Sequence, residues 1–118
     1  MKILPIVIIL LCLLPLLMLR TRPGQDAMAS LRRFRYAHRG LYDPDAGIPE
    51  NSLPAFSRAI ARGFGAELDV HLLRDGSLAV FHDSDLKRMT GRGGVIEDLS
   101  ADELGACFLG GTGETIPQ

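Results

Sequence analysis

The chain has 118 residues, 47% hydrophobic, 23% charged and 6% aromatic, with 13 Lys and Arg against 14 Asp and Glu. That apolar share excludes a disordered chain, and the length allows one small soluble domain. The balanced charge excludes a partner held by phosphate neutralisation, so no nucleic acid is expected and a metal-dependent nuclease is disfavoured.

Ile3 to Leu19 carries no charged residue. As a helix its roughly 17 residues would reach about 25 Å, slightly short of the roughly 30 Å hydrocarbon core of a bilayer. Pro5 and Pro15 would kink it, which membrane helices tolerate, and it lacks the polar stripe of a soluble helix. Two readings compete. A cleaved signal peptide would use Lys2 as its n-region and Ala27-Met28-Ala29 as the cleavage site, giving an exported protein. The long charged stretch from Arg20 to Asp26 argues instead for an uncleaved single-pass anchor over residues 1–22, flanked by Arg20 and Arg22. Those arginines, with Arg32, Arg33 and Arg35, place the C-terminal side in the cytoplasm if counted literally. Leu10 and Leu11 are too bulky to precede a lipidated Cys12. Cys12 and Cys107 lie in such different settings that neither a disulfide nor a zinc site is expected.

Residues 23–30, with Pro23 and Gly24, read as a polar linker, and 31–118 as the folded domain. The first 29 residues hold three of the 13 basic and one of the 14 acidic side chains, leaving the other 89 with a net charge of −3. Phe34 to His38 reads as a first strand, and Leu41 to Glu50, with Pro44, Gly47 and Pro49, as a loop. Asn51 or Ser52 caps a helix with Pro54 in its first turn; Leu53, Phe56, Ala59 and Ile60 recur at helical spacing, and Gly63 ends it. Ala66 to Leu72 is a second strand, Asp75-Gly76 a turn, and Leu78 to Phe81 a third strand. Gly91, Gly93 and Gly94 mark a loop. Ser100 and Glu103 have capping-box spacing and open a short helix toward Cys107. Gly110 to Gln118 reads as loop. The order predicts an α/β fold with its site at the carboxyl ends of the strands.

Polar residues gather at those ends. Glu67 and Asp69 are two apart on a strand and face the same way, so they repel unless a cation lies between them, and a hard divalent ion suits oxygen ligands. The plain structural alternative is an exposed strand end. His38 can exchange a proton near neutrality, and Arg39 offers a planar fork that matches phosphate oxygens. The alternative is a structural histidine beside a surface arginine. His82 repeats the pattern, so two histidines on separate strand ends could flank one phosphorus as base and acid. Asp83 orients an imidazole or caps the next turn. His71 shares a face with Glu67 and Asp69 but approaches the turn, and reads as a surface residue. Glu50 and Asn51 have two open readings, a helix cap or part of the site's polar network.

Taken together, His38-Arg39-Gly40, Pro49-Glu50-Asn51-Ser52 with Ala55-Phe56, Gly65-Ala66-Glu67-Leu68-Asp69-Val70, Asp75-Gly76 and His82-Asp83 resemble the glycerophosphodiester phosphodiesterase family. The match runs from about Tyr36 to Gln118. Ser52 stands where Thr is usual, and Leu73-Arg74 replaces Thr-Lys. The resemblance implies the first part of a TIM-like (β/α)8 barrel, incomplete here and preceded by the N-terminal transmembrane helix. It implies cleavage of glycerophosphodiesters to an alcohol and glycerol 3-phosphate. His38 and His82 would be the acid/base pair, Arg39 would bind phosphate beside Glu50 and Asn51, and Glu67 and Asp69 would hold Ca2+ or Mg2+. In the family the substrate's own glycerol hydroxyl attacks phosphorus, and water opens the cyclic phosphate. A barrel needs roughly 200 residues or more. The family's third metal carboxylate and a nearby lysine would lie beyond Gln118, so little or no activity is expected of these residues alone. A lysophospholipase-D-like or sphingomyelinase-D-like lipid enzyme and a non-catalytic anchored remnant are the competing readings.

Overall fold

The computed structural model describes residues 25–118, together with positions 11 and 13. Apart from positions 11 and 13, the proposed anchor over 1–22 therefore lies outside the described residues, as does Cys12. Among the described residues no helix is long and apolar enough to cross a membrane. The chain divides into two units, residues 1–33 and 34–118.

In the first unit the expected linker is helical: α1 spans Gln25–Arg32 and contains the Ala27-Met28-Ala29 stretch. Ala, Met, Leu and Arg are strong helix formers, and Arg32 in the last turn suits the negative end of the helix dipole. Composition read as polarity hid that propensity.

The second unit opens with β1, Tyr36–Ala37, narrower than the expected Phe34–His38. The loop after it carries a 3-10 turn, Pro44–Ala46, capped by Asp43, whose Oδ1 accepts from Ala46 N at 3.3 Å. Helix α2, Leu53–Ala61, has Ser52 as its cap and Pro54 in its first turn. Ser52 Oγ accepts from Ala55 N at 3.3 Å and donates to the Pro49 carbonyl at 2.6 Å. The helix buries Ala55 and Ala59. Gly63, at φ 72°, turns the chain back, and β2, Gly65–Ala66, pairs parallel with β1, Tyr36 opposite Gly65. This is a βαβ unit.

The expected single strand from Ala66 to Leu72 is two. Glu67 N still donates to Ala37 O at 3.0 Å, but Asp69 O accepts from Phe81 N at 3.0 Å. The backbone changes partner at Leu68. Strand β3, Val70–Leu72, then forms an antiparallel hairpin with β4, Leu78–Val80, His71 opposite Ala79. Gly76, at φ 84°, supplies the left-handed position of the turn. Helices α3, Lys87–Thr90, and α4, Ala101–Leu104, follow, with a 3-10 turn at Ile96–Asp98 between them. The capping box at Ser100 and Glu103 is present, and α4 stops three residues short of Cys107. The tail is tied down, because Val80 N donates to Pro117 O at 2.8 Å.

One face of the hairpin covers a core of Phe81, Leu86, Ile96, Leu104, Leu109 and Ile116. Each such side chain contributes about 1.5–3 kcal/mol by leaving water. Cys107 sits in this core as a free thiol. The other face carries Val70, Leu72 and Leu78, all exposed. Strands apolar on both faces belong to sheets covered on both sides, as in α/β barrels.

Candidate active site

The site starts where β1 ends. Arg39 and Asn51 have left-handed backbones, at φ 57° and 52°, a conformation that costs non-glycine residues about 1–3 kcal/mol each. They stabilise one another: Asn51 N donates to Arg39 O at 2.9 Å. Between them the chain must pass α2 closely. A Cβ on Gly40, itself at φ 79°, would lie 2.8 Å from the Ala55 Cβ. Only glycine fits there.

This turn aims Arg39 at the carboxylates. Its NH1 donates to Glu50 Oε1 at 2.9 Å, and its backbone N–H donates to Glu67 Oε2 at 3.0 Å. Its Nε lies 3.6 Å from Asp69 Oδ2. That is a charge contact too long for a hydrogen bond, and the buried Nε has no acceptor. Asn51, 1% exposed, donates from Nδ2 to Asp69 Oδ2 at 3.0 Å, while its buried Oδ1 has no donor. Asn51 is therefore tied to Asp69, and the helix cap is Ser52.

His82 follows β4. Its Nδ1 meets Asp83 Oδ1 at 2.6 Å, which leaves Nε2 outside that contact. Asp83 Oδ2 accepts from Arg88 Nε at 2.5 Å, and Arg88 NH2 donates to Glu50 Oε1 at 2.7 Å. The hydrogen bond from Arg88, then that from His82, holds the Asp83 carboxyl down at about 2. Burial opposes ionisation of Glu50, but Arg88 and then Arg39 outweigh it and keep its pKa below the ordinary value. Asp83 thus orients an imidazole, one of the two open readings. His38 is exposed, and its ring makes no hydrogen bond to the described residues.

His71 is not the surface residue expected from sequence. Its Nδ1 meets Glu97 Oε1 at 2.6 Å and its Nε2 meets the His82 carbonyl at 3.2 Å. Glu97 also accepts from Ser84 Oγ at 3.1 Å. Arg88 and Glu97 were invisible to sequence reasoning. The one available signal was that Arg88 lies only five residues beyond Asp83.

Glu67 and Asp69 offer hard oxygen donors, and Asn51 Oδ1 is an orphaned buried oxygen beside them, so the donor chemistry fits a divalent cation. Among the described residues no group of three or more His, Cys, Asp or Glu is arranged to hold a metal. Beside this site opens a cleft of about 210 Å³, lined by Tyr42, Pro44, Ile48, Met89 and, on its polar wall, Glu50 and Arg88.

Residues 38–116 match the sequence profile of the glycerophosphoryl diester phosphodiesterase family. The chain belongs to that family. A glycerophosphodiester phosphodiesterase of Bacillus altitudinis is 44% identical over 70 residues, covering 58% of this chain and 27% of that protein. The crystal structure of a glycerophosphodiester phosphodiesterase from Thermotoga maritima superposes with a TM-score of 0.55 at 39% identity, over 70% of this chain and 34% of that one. An Oleispira antarctica phosphodiesterase, solved with the product sn-glycerol 3-phosphate, superposes with a TM-score of 0.58 at 35% identity, over 71% and 36%. The chain thus spans about a quarter to a third of the length of these family members. Its βαβ unit and hairpin correspond to one part of their barrel.

Proposed function

We propose that this site hydrolyses glycerophosphodiesters to an alcohol and glycerol 3-phosphate, with His38 and His82 as the acid/base pair. The observation that carries the reading is the unsatisfied, buried Nε of Arg39, 3.6 Å from Asp69 Oδ2 on a guanidinium whose NH1 is bonded to Glu50. A buried guanidinium nitrogen without an acceptor suits an incoming phosphate oxygen. The product complex of the Oleispira antarctica phosphodiesterase supports the same ligand chemistry.

In this reading Arg39 binds and orients the phosphate, while Glu50 and Asn51 hold the arginine's turn and its carboxylate partners in place. One histidine takes the proton of the attacking glycerol hydroxyl, and the other gives a proton to the departing alcohol oxygen. The two exchange roles when water opens the cyclic phosphate. Glu67 and Asp69, with Asn51 Oδ1, would hold Ca2+ or Mg2+, which when bound neutralises charge developing on the phosphoryl oxygens. No protein nucleophile is required.

The test is a graft of residues 34–118 onto the Thermotoga maritima relative in place of the matching third, assayed for sn-glycerol 3-phosphate released from glycerophosphocholine. His38→Ala and His82→Ala should each lower turnover by about 10²–10⁴-fold; unchanged turnover in both would overturn the reading. The 118-residue chain by itself should show little turnover, because it matches only about a quarter to a third of the length of its relatives; robust activity from it would refute that part.

A second reading, lysophospholipase-D-like, rests on the apolar cleft beside Glu50. It predicts faster choline release by the graft from lysophosphatidylcholine than from glycerophosphocholine. Single-pass membrane attachment through residues 1–22 would suit a lipid-derived substrate; retention of the chain in membranes after alkaline carbonate washing supports it, and release opposes it.

A further inference from the structure

We propose that Arg88 is a positioning residue that fastens the acid–base half of the site to its anion-binding half. Four contacts in series carry the inference. His82 Nδ1 meets Asp83 Oδ1 at 2.6 Å, and Asp83 Oδ2 accepts from Arg88 Nε at 2.5 Å. The same guanidinium donates through NH2 to Glu50 Oε1 at 2.7 Å, and that oxygen also accepts from Arg39 NH1 at 2.9 Å. Arg88 therefore grips the carboxylate behind the imidazole with one edge and the carboxylate behind the phosphate-binding arginine with the other.

The geometry needs arginine. A planar fork holds two carboxylates at a fixed separation, whereas a lysine ammonium is a single point on a flexible stem. Both partners are short-tethered to rigid positions. Asp83 adjoins His82 at the end of β4, and Glu50 adjoins Asn51, whose left-handed backbone is bonded to Arg39. A shift of Arg88 is thus felt on both sides. Glu50 accepts two guanidinium donors on one oxygen, so removing either arginine leaves the other under-anchored. Asp83, held by Arg88, in turn keeps the His82 ring in the Nδ1–H tautomer and leaves Nε2 free.

The inference rests on the acid–base role of His82 for its functional meaning, but its test does not need turnover. The probe is the 15N-labelled 118-residue chain in detergent micelles, read by the ring nitrogen shifts of His82 and the Nε–H resonance of Arg39. Arg88→Met should move His82 from the Nδ1–H tautomer toward the mixture of free histidine and should broaden Arg39 Nε–H. Arg88→Lys should do so partly. Glu50→Gln, which leaves Asp83 untouched, should also shift the His82 ring signals, and combining it with Arg88→Met should add little. The control is Arg58→Met, which removes a guanidinium bound to Asp43 at 3.1 Å and should leave both signals in place. Wild-type His82 signals in a folded Arg88→Met chain would overturn the proposal, as would a His82 ring indifferent to Glu50→Gln. Should Arg88→Met unfold the chain, Arg88→Lys and Glu50→Gln decide by the same signals. A shifted tautomer together with an inactive graft would leave the positioning intact and reject only the phosphodiesterase reading.

Discussion

The unit from 34 to 118 has two regions built on different principles. The βαβ region, from β1 to β2, is closed by small groups: Ala37, Ala55 and Ala59 are buried, and Gly40 lets the chain run against α2. The hairpin region is closed by large ones, with Phe81, Leu86, Ile96, Leu104 and Leu109 all 2% exposed or less. Small groups permit close backbone approach and set positions finely. Large groups provide most of the apolar burial. The site straddles the two: Arg39, Glu50 and Asn51 come from the first, His82, Asp83 and Arg88 from the second, and Glu67 and Asp69 from the segment where the backbone changes partner. Accuracy of placement and energy of folding are supplied by different stretches of chain.

That division can be broken region by region. Phe81→Ala, in the large-residue core, should cost about 3–5 kcal/mol, read as a lower urea midpoint. Gly40→Ala should cost about 1–3 kcal/mol through its left-handed backbone alone, with the contact to Ala55 added, and should disturb the Arg39 resonances more than the hairpin's. Ser52→Ala removes the cap of α2 and should cost about 1 kcal/mol; Ser52→Thr should recover most of it in the same denaturation series. The smallest effect is acid sensitivity. Asp83 titrates at about 2 instead of 3.8, and Glu50 is also lowered. A depressed carboxyl stabilises the fold above its ordinary pKa and loses that contribution as pH falls through the folded value. Thermal melts should therefore hold from neutrality to about pH 4 and decline between about 4 and 2, and Arg88→Met should blunt that decline. A decline beginning near pH 6 would point to histidine instead.

Local rules made the caps and turns legible. The helix after Ser52, the Asp75-Gly76 turn and the box at Ser100 and Glu103 each follow from chemistry within four residues. The parallel pairing of β1 with β2 and the partner switch at Leu68 did not, because both depend on strands distant in sequence; Ala66 to Leu72 is uninterrupted in pattern yet serves two sheets. Among the candidate residues, Arg39, Glu50, Asn51, Glu67 and Asp69 lie together, and His82 is linked to them through Asp83 and Arg88. His38 stands exposed, its ring without a hydrogen bond or ion pair to the described residues. Arg88 and Glu97 escaped because an arginine or glutamate in a polar loop looks the same whether it meets solvent or a carboxylate or imidazole folded over from elsewhere. The helix at Gln25–Arg32 was missed because proline and glycine just before it dominated the reading.

The methyl group of Ala55 has no chemistry of its own, yet it is the surface against which the Arg39 turn rests, with Gly40 directly above it and the Leu41 N–H bonded to its carbonyl at 2.9 Å. It acts as a gauge block, fixing the height at which a guanidinium meets two carboxylates, Glu50 and Asp69. Sequence variation at this alanine should therefore be interpreted as variation in the placement of Arg39, although the two side chains need never touch.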